Sequence, residues 1–160
     1  MVAPLLLLSA LFLQNPPSPA DAYAPLRLYD GVWLAHGGKA GTPAKDTRIV
    51  NQCRQVGIYY ACQQTVGGKV GSLIVFLPYG AAGHYYTQGI LNEGHATGRG
   101  ELEIRGGDWT YSSQATDHGV TTYYRTTNHF SDPRHIHYEL AESKDGKSWT
   151  ITASGDEAHQ

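Results

Sequence analysis

The sequence predicts an all-β protein: a single antiparallel meander of about ten strands, closed into a barrel. Three observations carry this. Turn signals recur along the chain at intervals of about 8–12 residues. The runs between them alternate in part between apolar and polar residues, and none keeps a helical period. Among the 160 residues, Gly (19) and Tyr (11) are abundant and Met occurs once, a balance that favours strands and tight turns.

The N-terminus reads as a leader. Leu5 to Leu13 is an apolar run too short to span a bilayer. Gln14, Asn15 and Pro16-Pro17 follow, and then Ala20-Asp21-Ala22, which fits the small-x-small pattern for signal peptidase. Cleavage is expected after Ala22, with Ala24 as second choice, although no Lys or Arg precedes the apolar run. Residues 1–22 are then removed, and residues 23–160 form one domain in a periplasm or outside the cell. No later segment is apolar enough to insert in a membrane. The net charge is -2 and Lys and Arg are scattered. That leaves no basic stripe for nucleic acid and no polybasic run for lipid headgroups.

Cys53 and Cys62 are the two cysteines. In an exported chain an even count suggests a bridge. Gly57-Ile58 as a two-residue turn sets Cys53 directly opposite Cys62, close enough for a disulfide. The rival reading, a pair of free thiols for redox or metal chemistry, lacks the short C-x-x-C spacing.

Further turns are expected at Gly37-Gly38 to Asp46, Gly67-Gly68, Pro78 to Gly83, Glu93-Gly94, Gly106-Gly107, Asp117 to Gly119, Asp132-Pro133 and Asp145-Gly146. Short links make sequence neighbours sheet neighbours. About ten such strands are too many to stay flat and open, and closing the sheet removes its edges. A barrel of this size has room for a small ligand.

The late strands can be registered from their turns. Gly106-Gly107 pairs Ile104 with Trp109 and Leu102 with Tyr111. Asp117-His118-Gly119 as a three-residue turn pairs Tyr111 with Arg125, and Asp132-Pro133 then pairs His129 with Ile136. The inward face becomes Leu102, Ile104, Trp109, Tyr111, Tyr123, Arg125, Thr127, His129, Ile136, Tyr138, Leu140, Trp149, Ile151 and Ala153. The alternate residues, including Tyr124, Asn128, His135 and His137, face solvent. A slip at any one turn inverts the strands beyond it. For Tyr85 and Tyr86, either could be the inward one.

Leu28-Tyr29-Asp30-Gly31-Val32-Trp33 contains a G-x-W motif at the start of the strand train. It resembles the opening of the calycin barrels, the group of lipocalins, fatty-acid-binding proteins and nitrobindin-like proteins. The resemblance implies a barrel over roughly residues 26–157, and Trp33 packed at its closed end against an arginine of a late strand. Arg125 fits that part through a cation–π contact. The plainer reading is that Trp33 and Arg125 only close the barrel. The resemblance also extends to small exported bacterial calycin-like proteins. Nitrobindin-like barrels hold haem through a late-strand histidine, for which His129 is the match; of their G-x-W-x-G-x-G opening, Ala35 replaces one glycine and Gly37 keeps the other.

The function expected is a binding module. Trp33, Trp109, Tyr111, Tyr123, Tyr138 and Trp149 would surround a small, partly apolar ligand, with Arg125 and His129 inside as polar anchors. No cofactor is expected, haem remaining the alternative. A second alternative is an isomerase or hydratase using His129 as general base, which needs a carboxylate beside it. A third is a filled barrel with a partner surface at Tyr124, Phe130 and the histidine row. His135-x-His137 has the spacing of a strand zinc site, but Asn128 opposes His137 in this register, so no metal is expected. No nucleophile motif or P-loop is present, and Asp156, Glu157 and Glu142 read as solvated strand ends.

Overall fold

A computed structural model describes residues 19–160. Ten strands run β1 Gly31–Lys39, β2 Lys45–Val56, β3 Tyr59–Val66, β4 Lys69–Pro78, β5 His84–Leu91, β6 Gly100–Arg105, β7 Asp108–Asp117, β8 Val120–Asp132, β9 His135–Ser143 and β10 Thr150–His159. Each pairs antiparallel with the next in sequence, and β10 returns to β1, so the sheet is a closed barrel. The meander expected from the turn spacing is the fold observed. The apolar run Leu5 to Leu13 lies outside the described residues. No helix among the described residues is long and apolar enough to cross a membrane.

Turn chemistry sets the hairpins. Gly57-Ile58 links β2 to β3 and makes Cys53 and Cys62 register partners. They are joined by a disulfide of 2.11 Å. Gly106-Gly107 pairs Ile104 with Trp109 and Leu102 with Tyr111, as expected.

One end of the barrel is plugged by the N-terminal segment. A helical turn, Pro19–Ala22, and a 3-10 turn, Pro25–Tyr29, precede β1. Between them Tyr23 stacks on Tyr60 at 5.5 Å and on Tyr85 at 6.4 Å between ring centroids. Its hydroxyl donates to the Ile58 carbonyl. Tyr23, Leu26, Trp33, Phe76, Tyr85, Leu102, Trp109, Phe130 and Ile136 form the core at this end. Tyr85 is therefore the inward member of its pair; Tyr86 stacks on Tyr79 outside the core, 3.8 Å between centroids.

The β7–β8 turn corrects the expected register. It has two residues, His118-Gly119, with Asp117 opposite Val120. His118 (φ 47°) and Gly119 (φ 79°) both take positive φ, as a type I′ turn demands. A histidine is an unusual choice there, and reading the turn as one residue longer slips β8 by one position. Tyr111 consequently faces Thr126 and Trp109 faces Asn128. Tyr124, Thr126, Asn128 and Phe130 share the inward parity, while Tyr123, Arg125, Thr127 and His129 lie on the outer wall. A second one-residue slip, around Ser131, cancels the first. Ile136, Tyr138 and Leu140 therefore face inward as expected. A bulge between Ile151 and Ala153 then turns Ile151 outward and keeps Ala153 inside.

Candidate functional site

The opposite end of the barrel is open. A cavity of about 710 Å³ lies there, within the range of small-molecule sites. Its walls carry Ala35, Ile49, Val66, Leu140 and Ala153, and its rim carries Lys39, Thr42, Pro43 and Lys45. Thr47, Gln64 and Thr126 add polar groups to the walls, and Tyr29, Asn128, Tyr138 and Glu157 supply the rest.

Each polar group is placed by a specific local feature. Tyr29 ends the 3-10 turn and stacks on Trp109, 5.5 Å between centroids; the Trp33 indole N–H donates to its carbonyl at 3.2 Å. Asn128, 3% exposed, donates its side-chain amide to the Tyr29 hydroxyl. The Tyr111 hydroxyl also hydrogen bonds to Tyr29. Tyr138 reaches the wall over a glycine pair, because Gly37 and Gly155 are register partners without side chains. A Cβ on Gly37 would stand 2.4 Å from the Tyr138 hydroxyl and 2.5 Å from the Ser154 carbonyl oxygen.

Glu157 stands in β10 opposite Ala35 on one side and Ile136 on the other. Its carboxyl is pushed up to about 7 by burial, and no cation among the described residues draws it back down. Tyr29, Tyr111 and Tyr138 are all raised above the ordinary tyrosine range, first by burial and further by the nearby Glu157 charge. At neutral pH the phenols are therefore hydrogen-bond donors, while Glu157 is poised to give or take a proton.

The sequence-predicted residues divide. Trp109, Tyr111 and Tyr138 face inward, Tyr138 into the cavity and Trp109 beneath Tyr29. Trp33 is 1% exposed and belongs to the plugged end. It packs edge-on against His159 at 4.8 Å and against Phe130 at 6.2 Å. Gly31 is required there: with φ 115°, a Cβ would meet the His159 ring at 2.4 Å. His159 thus takes the place expected of Arg125.

Arg125 instead lies over the Trp149 ring, 4.2 Å to the centroid, on the outer wall. Tyr123 shares that wall. His129 is also outside, its Nδ1 2.5 Å from Asp108 Oδ1. A carboxylate does stand beside it, but neither group faces the cavity, so His129 serves neither as an interior anchor, nor as a haem ligand in the barrel, nor as a general base there. Of the residues assigned to an external partner surface, Phe130 is buried in the core, whereas Tyr124, though of inward parity, is 39% exposed.

Sequence reasoning missed Tyr29, Asn128 and Glu157. Asn128 was lost with the β8 register. Glu157 was in reach: counting inward positions from Ala153 in steps of two gives Gly155, Glu157 and His159. Tyr29 gave no signal, because it enters from a turn rather than a strand.

No family model matches the chain, and no curated protein matches it. Solved structures do. The S-type phycobiliprotein lyase CPES from Guillardia theta superposes with a TM-score of 0.54 at 10% identity, covering 91% of this chain and 98% of that one. Rv2717c from M. tuberculosis gives a TM-score of 0.53 at 12% identity, covering 87% and 97% respectively. The likeness is one of fold: this chain is a calycin-like ten-stranded barrel.

Proposed function

We propose that this chain is an exported barrel that holds a small, partly apolar molecule in its open-end cavity. One observation carries the reading: a half-buried carboxyl, Glu157, with no cation among the described residues pulling its titration down, set among tyrosine hydroxyls in a hollow whose walls are mostly apolar. Burying such a group is costly, and a ligand that hydrogen bonds to it would repay part of that cost. The apolar walls take the rest of the molecule, and Lys39 and Lys45 can meet an acidic or polar group at the rim. The Cys53–Cys62 disulfide fits an oxidising compartment and supports export.

The test is a fluorescence titration with Nile red, a neutral apolar dye. Saturable binding is expected for the native chain, with loss of at least tenfold in affinity when Ala153→Trp fills the cavity. A surface change, His118→Ala, is expected to leave binding unchanged. Equal binding by the native chain and Ala153→Trp would contradict the reading.

A second reading is favoured by the same carboxyl. A Glu titrating near neutrality, beside three phenols, has the properties of a general acid or base. An isomerase or hydratase would use Glu157 where the sequence had suggested His129. That one neighbouring barrel is named a lyase supports catalysis on this scaffold.

A further inference from the structure

The corrected register creates an arrangement on the outer wall that the sequence did not reveal. Asp108, His129, His137 and Asp156 are successive register partners across four adjacent strands, β7 to β10. The two histidines stand side by side, and an aspartate flanks each on its far side. His129 Nδ1 lies 2.5 Å from Asp108 Oδ1, and His137 Nδ1 lies 2.8 Å from Asp156 Oδ1.

From this row we infer a surface site for a divalent late transition-metal ion, held by His129 and His137. A carboxylate only accepts hydrogen bonds, so each Nδ1 carries the proton, and Nε2 is the ring nitrogen left to bind a metal ion. Because the aspartates lie on the outer sides, both Nδ1 edges turn away from the seam, which leaves both Nε2 edges free to approach an ion held over it. Directly opposed side chains have Cβ atoms about 4.5–5.5 Å apart. Two imidazole nitrogens on one ion, each at about 2.0–2.1 Å, lie roughly 3 Å from one another, which this spacing permits. A carboxylate bonded to the far ring nitrogen is the usual support of a ligating histidine, fixing tautomer and orientation.

The surroundings suit a cation. Glu139 Oε1 is 4.0 Å from His137 Nε2, and a shallow groove of about 420 Å³, lined by both histidines and Asp156, gives a hydrated ion access. No three His, Cys, Asp or Glu side chains among the described residues already form a metal cage, so water completes the coordination. Imidazole donors and open positions select copper, nickel or zinc over magnesium or calcium, with copper bound most tightly.

The test uses the tag-free chain and Cu²⁺ alone, followed by calorimetry and electron paramagnetic resonance. One bound ion with two nitrogen donors is expected. His129→Ala and His137→Ala should each remove the two-nitrogen signal and weaken binding at least a hundredfold. Asp108→Asn and Asp156→Asn should each weaken it about 10- to 100-fold while leaving both nitrogens in place. His118→Ala serves as a control and should bind as the native chain does. Absence of a bound ion in the native chain, or undiminished binding by either histidine variant, would overturn the site. Unchanged affinity in both aspartate variants would overturn the bracketing role assigned to the carboxylates.

Discussion

Asn128 on β8 donates its side-chain amide to the hydroxyl of Tyr29, a residue 99 positions earlier in the chain. That bond ties the N-terminal plug to the late wall of the barrel and sets the floor of the cavity. Tyr29→Phe removes the acceptor and leaves the buried amide unpaired. The expected cost is about 1–3 kcal/mol, read as a lower urea midpoint with an unchanged slope. Adding Asn128→Leu should recover part of the loss, because the amide is then gone too while the Tyr111 hydroxyl still lacks its Tyr29 partner.

Glu157 predicts how stability depends on pH. Its carboxyl titrates near 7 in the folded chain against 4.5 ordinarily, so the folded state holds the proton more tightly than the unfolded one. Stability should therefore fall as pH rises from about 4.5 through about 7, by up to about 3 kcal/mol, and level off above. Glu157→Gln should flatten this segment, matching the native chain near pH 4 and exceeding it by about 2–3 kcal/mol at pH 8. Urea unfolding at a series of pH values checks both.

The Cys53–Cys62 bridge closes a loop of sequence separation 9. Replacing both cysteines by serine should lower stability by roughly 2–3 kcal/mol. The cavity lies at the other end, so Nile red binding under native conditions should survive the change.

Tyr23 discriminates between the two expected leader-cleavage positions. It is 1% exposed and stacked between Tyr60 and Tyr85. Cleavage after Ala22 keeps it as the first residue; cleavage after Ala24 discards it. On the export proposal, the mature chain is expected to begin at Tyr23 by N-terminal sequencing. A chain made to begin at Pro25 should lose about 3–5 kcal/mol, the cost of deleting a large aromatic from a core.

The barrel itself was legible because glycine turns and short links leave a meander few ways to arrange itself. Local chemistry also predicted the Cys53–Cys62 pairing and the Gly106-Gly107 hairpin. What failed was one turn. His118 in a left-handed conformation is rare, and a single position of slip exchanged the two faces of β8. That placed Arg125 and His129 inside and Asn128 outside. It also hid the juxtaposition of His129 with His137. Glu157 was passed over for a different reason: a charged residue near a strand end is usually solvated, and only the closure of β10 against β1 draws it partly out of solvent.

Native mass spectrometry of the chain, purified gently from its own source beside an Ala153→Trp variant expressed in the same way, tests the binding reading most directly. A noncovalent adduct of a few hundred daltons is predicted on the native chain and not on the variant, since the cavity of about 710 Å³ accommodates a molecule of that size. Two bare masses, or the same adduct on both chains, would contradict it.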